Sequence, residues 1–146
     1  MFSEEEGQDS QEGERIDRMI HEELTERIIA AAFKVHNELG FGFLESVYKN
    51  ALLIELRKSS LPAVAEVPLD VFYLGEPVGK YCADVIVDGK IILELKSVEH
   101  LSVQHEIQLV NYLKAAGVET GLLLNFGTGK VEIKRKFLHP NPVHPS

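Results

Sequence analysis

The segment Tyr81-Cys82-Ala83-Asp84-Val85-Ile86-Val87-Asp88-Gly89-Lys90-Ile91-Ile92-Leu93-Glu94-Leu95-Lys96 decides the fold. Two apolar runs flank Asp88-Gly89, a dipeptide suited to a tight hairpin turn. They are broken by Asp84 on one side and by Glu94 and Lys96 on the other. Strand residues two apart share a face, so Glu94 and Lys96 stand side by side. A two-residue turn at Asp88-Gly89 puts Glu94 on a face with Ala83 and Val85, and Asp84 with Ile91, Leu93 and Leu95. Both faces are then mixed, which a half-buried hairpin avoids. A three-residue loop, Val87-Asp88-Gly89 with Gly89 left-handed as a bulge, sorts them instead. Ala83, Val85, Ile91, Leu93 and Leu95 then form one apolar face; Asp84, Glu94 and Lys96 share the other. In this register Asp84 lies opposite Ile92 and diagonal to Glu94, roughly 7–8 Å away at the backbone.

Two carboxylates converging on a semi-buried sheet face are unfavourable unless something positive sits between them. Hard divalent cations such as Mg²⁺ or Mn²⁺ take oxygen ligands of this kind and keep room for water and phosphate oxygens. A lysine beside such an ion stabilises developing negative charge or orients water. The same residues also make an ordinary salt-bridge ladder, Asp84–Lys96–Glu94, and their spacing alone leaves both readings open.

Outward from this hairpin, Leu24, Ile28, Ala31, Ala32, Val35 and Leu39 recur at helical spacing and predict a helix over Glu22–Leu39, stopped by Gly40. A second helix follows over Leu44–Lys58, with Val47, Tyr48, Ala51, Leu52, Ile54 and Leu56 as its apolar surface. Short β-like runs cover Ala63–Leu74, Gly79–Val87 and Lys90–Lys96, with Gly75-Glu76-Pro77 between the first two. Helical spacing returns from Ser102 to Ala116 and ends at Gly117. Two last strands cover Thr120–Phe126 and Lys130–Phe137. The order α-α-β-β-β-α-β-β predicts an α/β or α+β fold with a mixed sheet flanked by helices.

At 146 residues the chain fits one domain, and 45% hydrophobic with 26% charged residues is ordinary globular composition. Its apolar runs fall far short of the roughly 20 residues that span a bilayer. The polar, acidic N-terminus is unlike a signal peptide, and the lone cysteine, Cys82, leaves no intramolecular disulfide or cysteine zinc site. A cytoplasmic protein with no membrane partner is the expectation. The net charge of −8 opposes nucleic-acid binding at first sight, but residues 1–24 hold nine Asp and Glu against two Arg, a net of −7. The remainder is close to neutral. Residues 1–21 are expected to be an acidic disordered tail, 22–138 a single domain, and 139–146 a flexible C-terminal tail.

Asp84 followed by Glu94-Leu95-Lys96 on the next strand resembles the PD-(D/E)xK nuclease superfamily. Gly42-Phe43-Leu44-Glu45-Ser46-Val47-Tyr48 resembles the G-x-x-E-x-x-Y signature of the small bacterial GxxExxY protein family within it. Val35-His36-Asn37-Glu38-Leu39-Gly40, the run His105 to Leu113, Gly121-Leu122-Leu123-Leu124-Asn125-Phe126 and Ile133-Lys134-Arg135 extend the likeness, in order, over Leu24 to Phe137. The resemblance implies a restriction-endonuclease-like core. It implies Asp84 and Glu94 as ligands of Mg²⁺ or Mn²⁺, Lys96 as catalytic lysine, and Glu45 as an auxiliary acid for metal or water. Gln108 and Tyr112 match a Q-x-x-x-Y helix motif that borders site and DNA in the exonuclease-like branch. Ala83 stands where the motif's name has proline.

Each further candidate also has a plainer reading. Glu45 is an acid suited to the first turn of a helix by the macrodipole, and Tyr48 reads as a core or supporting aromatic. His105, Gln108 and Tyr112 share a helical face, where they contact phosphate or only each other and the sheet. His36 reads as an ordinary helix histidine. Lys134 and Lys136 share a strand face, as a phosphate-contacting edge or as charges protecting an edge strand. The leading expectation is a metal-dependent nuclease hydrolysing phosphodiester bonds, in DNA rather than RNA, with a homodimer left open. The alternative is a non-catalytic module that binds nucleic acid or a protein partner on the same fold. Metal binding through Asp84 and Glu94 separates the two.

Overall fold

In the computed structural model, which describes residues 21–138, the first helix α1 spans Glu22–Leu39 and buries Ile28, Ala31, Ala32 and Val35. Both expected tails lie outside the described residues, His21 of the first excepted. Gly40 ends α1 with a φ of 71°, which glycine adopts without a Cβ clash. Helix α2 spans Glu45–Lys58 and buries Tyr48, Leu52, Leu53 and Leu56. Ile54, expected on the apolar surface, is exposed instead. The buried stripe through 52, 53 and 56 turns that position to the opposite side of the helix.

Five strands follow: β1 (Ala63–Tyr73), β2 (Glu76–Val87), β3 (Ile91–Lys96), β4 (Thr120–Asn125) and β5 (Glu132–Phe137). They lie in one sheet in the order β1-β2-β3-β4-β5, antiparallel except for the parallel β3–β4 pair. A parallel pair needs a crossover, supplied by helix α3 (Val103–Ala116). This is the α+β arrangement of a restriction-endonuclease-like core. Helices α1 and α2 cover one face, over Val85, Val87, Ile91, Leu93, Leu95, Leu122 and Leu124. Helix α3 covers the other, over Ile92 and Leu123 with Leu109 and Leu113. Gly121 permits that approach: a Cβ there would stand 2.9 Å from Leu109 Cδ1.

β2 starts three residues earlier than expected, because the turn is Leu74-Gly75, both with positive φ, and Tyr73 pairs with Glu76. Pro77 is therefore inside a strand. It is tolerated where β3 does not pair with β2 and where the β1–β2 register shifts, between Val71 and Phe72.

The β2–β3 register differs from the expected one. Val87 pairs with Ile91, Ile86 with Ile92 and Val85 with Leu93. The loop is thus Asp88-Gly89-Lys90, one position later. Asp88 as well as Gly89 takes a left-handed φ, and the Lys90 N–H closes on the Val87 carbonyl at 2.9 Å. Aspartate tolerates that conformation better than most residues. Asp84 therefore comes opposite Glu94 rather than Ile92. Because the shift is two in register, the face parity of Val85, Ile91, Leu93 and Leu95 is kept.

Ala83 departs from that parity and packs on the α3 side with Ile92. β1 does the same: Ala63 and Ala65 face α1 and α2, whereas Val67 and Leu69 face α3. The change of side falls at Glu66, whose φ of 54° interrupts the strand, and at Asp84, which lies opposite it when the Ala65↔Val85 and Val67↔Ala83 pairing is continued.

Candidate active site

Glu94 sits near the carboxyl end of β3, beside its parallel neighbour β4, the kind of strand-end crevice where open α/β sheets bind ligands. Among the described residues the β2–β3 ladder ends at Val85↔Leu93. One step further the two acids take over. Glu94 Oε1 accepts the Asp84 N–H at 3.0 Å, and Asp84 Oδ2 accepts the Leu95 N–H at 2.8 Å. Each carboxylate is thereby held on the opposite strand's backbone, with Asp84 Oδ1 and Glu94 Oε2 outside these two bonds.

Glu94 is 4% exposed. Burial, and then the charge of Asp84, push its carboxyl up to about 8, against the lowering influence of the Asp84 N–H and the Lys96 amine. Two adjacent acids with one this reluctant to ionise are short of positive charge, and a hard divalent cation answers that need. The donor set fits such an ion. Lys96, two residues on and half-buried, is the nearest amine on the same strand face.

Tyr112 is brought to this place by α3. It is 7% exposed, its ring lies 5.4 Å from that of Tyr81, and burial followed by the charges of Glu94 and Asp84 raises its phenol above the ordinary value. Gln108 is half-buried one turn earlier on the same helical face. His105 closes the cap of α3: its Nδ1 accepts the Ser102 N–H at 3.1 Å while Ser102 Oγ accepts the His105 N–H at 3.3 Å. Lys134 is exposed on β5, in one cross-sheet row with Leu123 and Glu94, roughly 10 Å from Glu94 at two strand spacings. Lys136 is taken up by Glu106, at 2.6 Å.

Glu45 is exposed as the first residue of α2. Among the described residues no three His, Cys, Asp or Glu side chains gather closely enough to hold a metal ion, so Glu45 does not join Asp84 and Glu94 as a third ligand in this arrangement. Its backbone is nonetheless tethered to the site. Tyr48 Oη donates to the Gly40 carbonyl at 2.7 Å and accepts the Phe43 N–H at 3.2 Å; Ser97 Oγ, next to Lys96, donates to the Phe43 carbonyl at 3.0 Å. The Tyr48 ring stacks on Phe126 at 4.7 Å, and the His36 ring lies 6.3 Å from Phe126 on a near-parallel plane, its Nε2 bonded to the Thr128 carbonyl. Tyr48 of the G-x-x-E-x-x-Y run, bonded to Gly40 and Phe43, therefore clamps the turn that carries Glu45.

Three side chains without an assigned part in the sequence reading belong to this region. Asn125 is fully buried: Oδ1 accepts the N–H groups of Val98 and Gly127, and Nδ2 donates to the Val98 carbonyl and Glu132 Oε1. It fixes the chain just after Lys96, with which it is paired in the β3–β4 ladder. Lys49 of α2 bonds Glu66 Oε1 at 2.9 Å, and its side chain is only 16% exposed. Glu66 raises the Lys49 amine above the ordinary lysine value, and the charge of Asp84 adds to this. One signal for Lys49 was in the sequence, since it follows Glu45 by four residues and so shares its helical face. Glu66 had none.

A family model of the PD-(D/E)XK nuclease superfamily matches residues 22–136. The chain belongs to that superfamily. This PD-(D/E)XK chain matches no curated protein sequence. Among solved structures it is similar to one titled "Crystal structure of SSO0001", with a TM-score of 0.53 and 21% identity over 63% of this chain and 48% of the other. The match thus spans about half of that chain and bears on the fold. The superfamily's nucleases act on nucleic acid and are generally dependent on divalent metal. No helix among the described residues is long and apolar enough to cross a membrane.

Proposed function

We propose that this PD-(D/E)XK protein is a divalent-metal-dependent nuclease that hydrolyses phosphodiester bonds in DNA. The observation that carries this reading is the reciprocal Asp84–Glu94 pair, closed on itself by two backbone N–H groups and left short of positive charge. Asp84 and Glu94 are the residues that would hold Mg²⁺ or Mn²⁺. When bound, the ion supplies Lewis-acid stabilisation of phosphate charge and lowers the pKa of water. Lys96 puts an ammonium beside that charge. Tyr112 and Gln108 line the α3 side of the site, and Lys134 offers a phosphate contact at the edge of the sheet. Glu45 serves as an auxiliary acid if the turn clamped by Tyr48 brings it over the pair when substrate binds. The narrower GxxExxY assignment, a cytoplasmic location and a single nuclease domain over 22–138 belong to the same reading.

End-labelled single- and double-stranded DNA, with RNA in parallel, incubated with purified protein and Mg²⁺ or Mn²⁺ tests it, beside Glu94→Gln and Lys96→Ala. Cleavage lost in both variants is the expected result. Absence of both cleavage and Mn²⁺ binding in the wild type overturns it in favour of a non-catalytic binding module.

A further inference from the structure

Lys49 and Glu66 stand beside the carboxylate pair on the α2 side of the sheet, and several features set them apart from an ordinary surface ion pair. The Lys49 side chain is mostly buried, at 16% exposure, although its partner is 69% exposed. Glu66 holds a left-handed φ of 54° inside a strand. A non-glycine residue kept in that region is unfavourable unless its surroundings over-determine it. The two strand registers, continued one step, put Glu66, Asp84 and Glu94 in a single row across β1, β2 and β3. Of these three acids, Lys49 is bonded to the outermost, Glu66, and feels the charge of the next, Asp84.

We infer that Glu66 is a parking position for the Lys49 amine, which holds it off Asp84 and so keeps the Asp84–Glu94 pair free for a divalent cation. Lys49 is then a positioning residue of the site and the internal competitor of the metal. This rests on the reading that Asp84 and Glu94 hold such an ion. The lysine stem is long enough to choose between neighbouring acids, and its compact ammonium is satisfied by any of them. With Glu66 ionised, the amine is held outside the pair and opposes the metal only through its charge at a distance. With Glu66 neutralised, Asp84 is the acid left to it, and the amine repels an incoming cation.

Mn²⁺ affinity, measured by calorimetry on the full chain without nucleic acid, tests the inference through a double-mutant cycle. Lys49→Met removes the competitor and is expected to tighten Mn²⁺ binding, on the order of tenfold for one charge at this range. Glu66→Gln is expected to weaken it by a similar factor. In the Lys49→Met background, however, Glu66→Gln is expected to change little, because its effect passes through the amine. Lys49→Arg, which retains the charge, stays near wild type and shows that loss of charge rather than altered packing is read. Unchanged affinity in Lys49→Met, or simple additivity of the two substitutions, overturns the inference while leaving the metal site standing. A wild-type protein that binds no Mn²⁺ overturns the metal reading itself, and this inference with it.

Discussion

Asp84 and Glu94 close the end of the β2–β3 ladder by bonding across it: Glu94 Oε1 takes the Asp84 N–H, and Asp84 Oδ2 takes the Leu95 N–H. Side chains here do what main-chain carbonyls do elsewhere in the sheet. The arrangement holds two acids side by side and orients both by backbone rather than by flexible partners. It also explains why β2 and β3 part at this point, since the space between the strands is filled by carboxylates that repel when both are ionised.

The raised Glu94 carboxyl makes the metal-free protein less stable as pH rises. The folded chain keeps a proton that the unfolded chain releases between the ordinary glutamate value of 4.5 and about 8, so the stabilising contribution is full below that window and lost through it. Urea midpoints in EDTA should fall across this range. In Glu94→Gln the fall should flatten, and parallel pH profiles for the two proteins would count against the buried pair. Mn²⁺ should restore more stability at pH 8 than at pH 5, because at the lower pH it competes with the proton on Glu94.

Lys96→Met separates chemistry from metal binding. The amine lowers the Glu94 carboxyl and so favours its ionised form, yet it is no metal ligand, and its charge opposes an incoming cation. Cleavage should fall about 10²–10³-fold, the size seen when a group stabilising transition-state charge is removed. Mn²⁺ affinity measured by calorimetry should hold or rise slightly. A parallel loss of metal affinity would instead make Lys96 a support for the ligands.

Tyr48→Phe keeps the stack on Phe126 but removes the hydroxyl that serves both Gly40 and Phe43. The expected cost is about 1–3 kcal/mol in urea unfolding, from two lost bonds in a half-buried turn. Cleavage should fall as well, since this turn sets where α2, and with it Glu45, begins. A variant with lowered stability and full activity would show that Glu45 takes no part.

Gly127→Ala and Gly121→Ala should rank clearly. A Cβ at Gly127 would collide with the backbone of Ser97 and Val98, which has no rotamer to yield, whereas at Gly121 it meets the end of the Leu109 side chain. Overpacking of this kind costs about 1–3 kcal/mol, and Gly127→Ala should lie at or above the top of that range in thermal and urea unfolding. Because Ser97 follows Lys96, Gly127→Ala should also depress cleavage more than Gly121→Ala does.

The element order and the placement of the helices and strands, the start of β2 excepted, were legible in the sequence, because each depends on local periodicity and on turn residues such as Gly40 and Gly117. So was the face parity that sets Glu94 and Lys96 apart from Ile91, Leu93 and Leu95, which follows from the two-residue repeat of a strand whichever even register is taken. The choice among those registers was not legible. It turned on Asp88 adopting a left-handed φ along with Gly89, a local preference too small for sequence to rank. Nor could periodicity find the change of side at Glu66 and Asp84, since a single left-handed residue reverses the parity without altering the pattern of residue types. The cap role of His105, the hub at Asn125 and the Lys49–Glu66 pair likewise join residues through space. Sequence alone marked Asp84, Glu94 and Lys96 as the candidate residues, because burying a charged group within an apolar run is unfavourable enough to single it out. Tertiary structure alone decided which of them touch, because contact depends on register, strand twist and helix approach, and these are settled by packing of the whole domain.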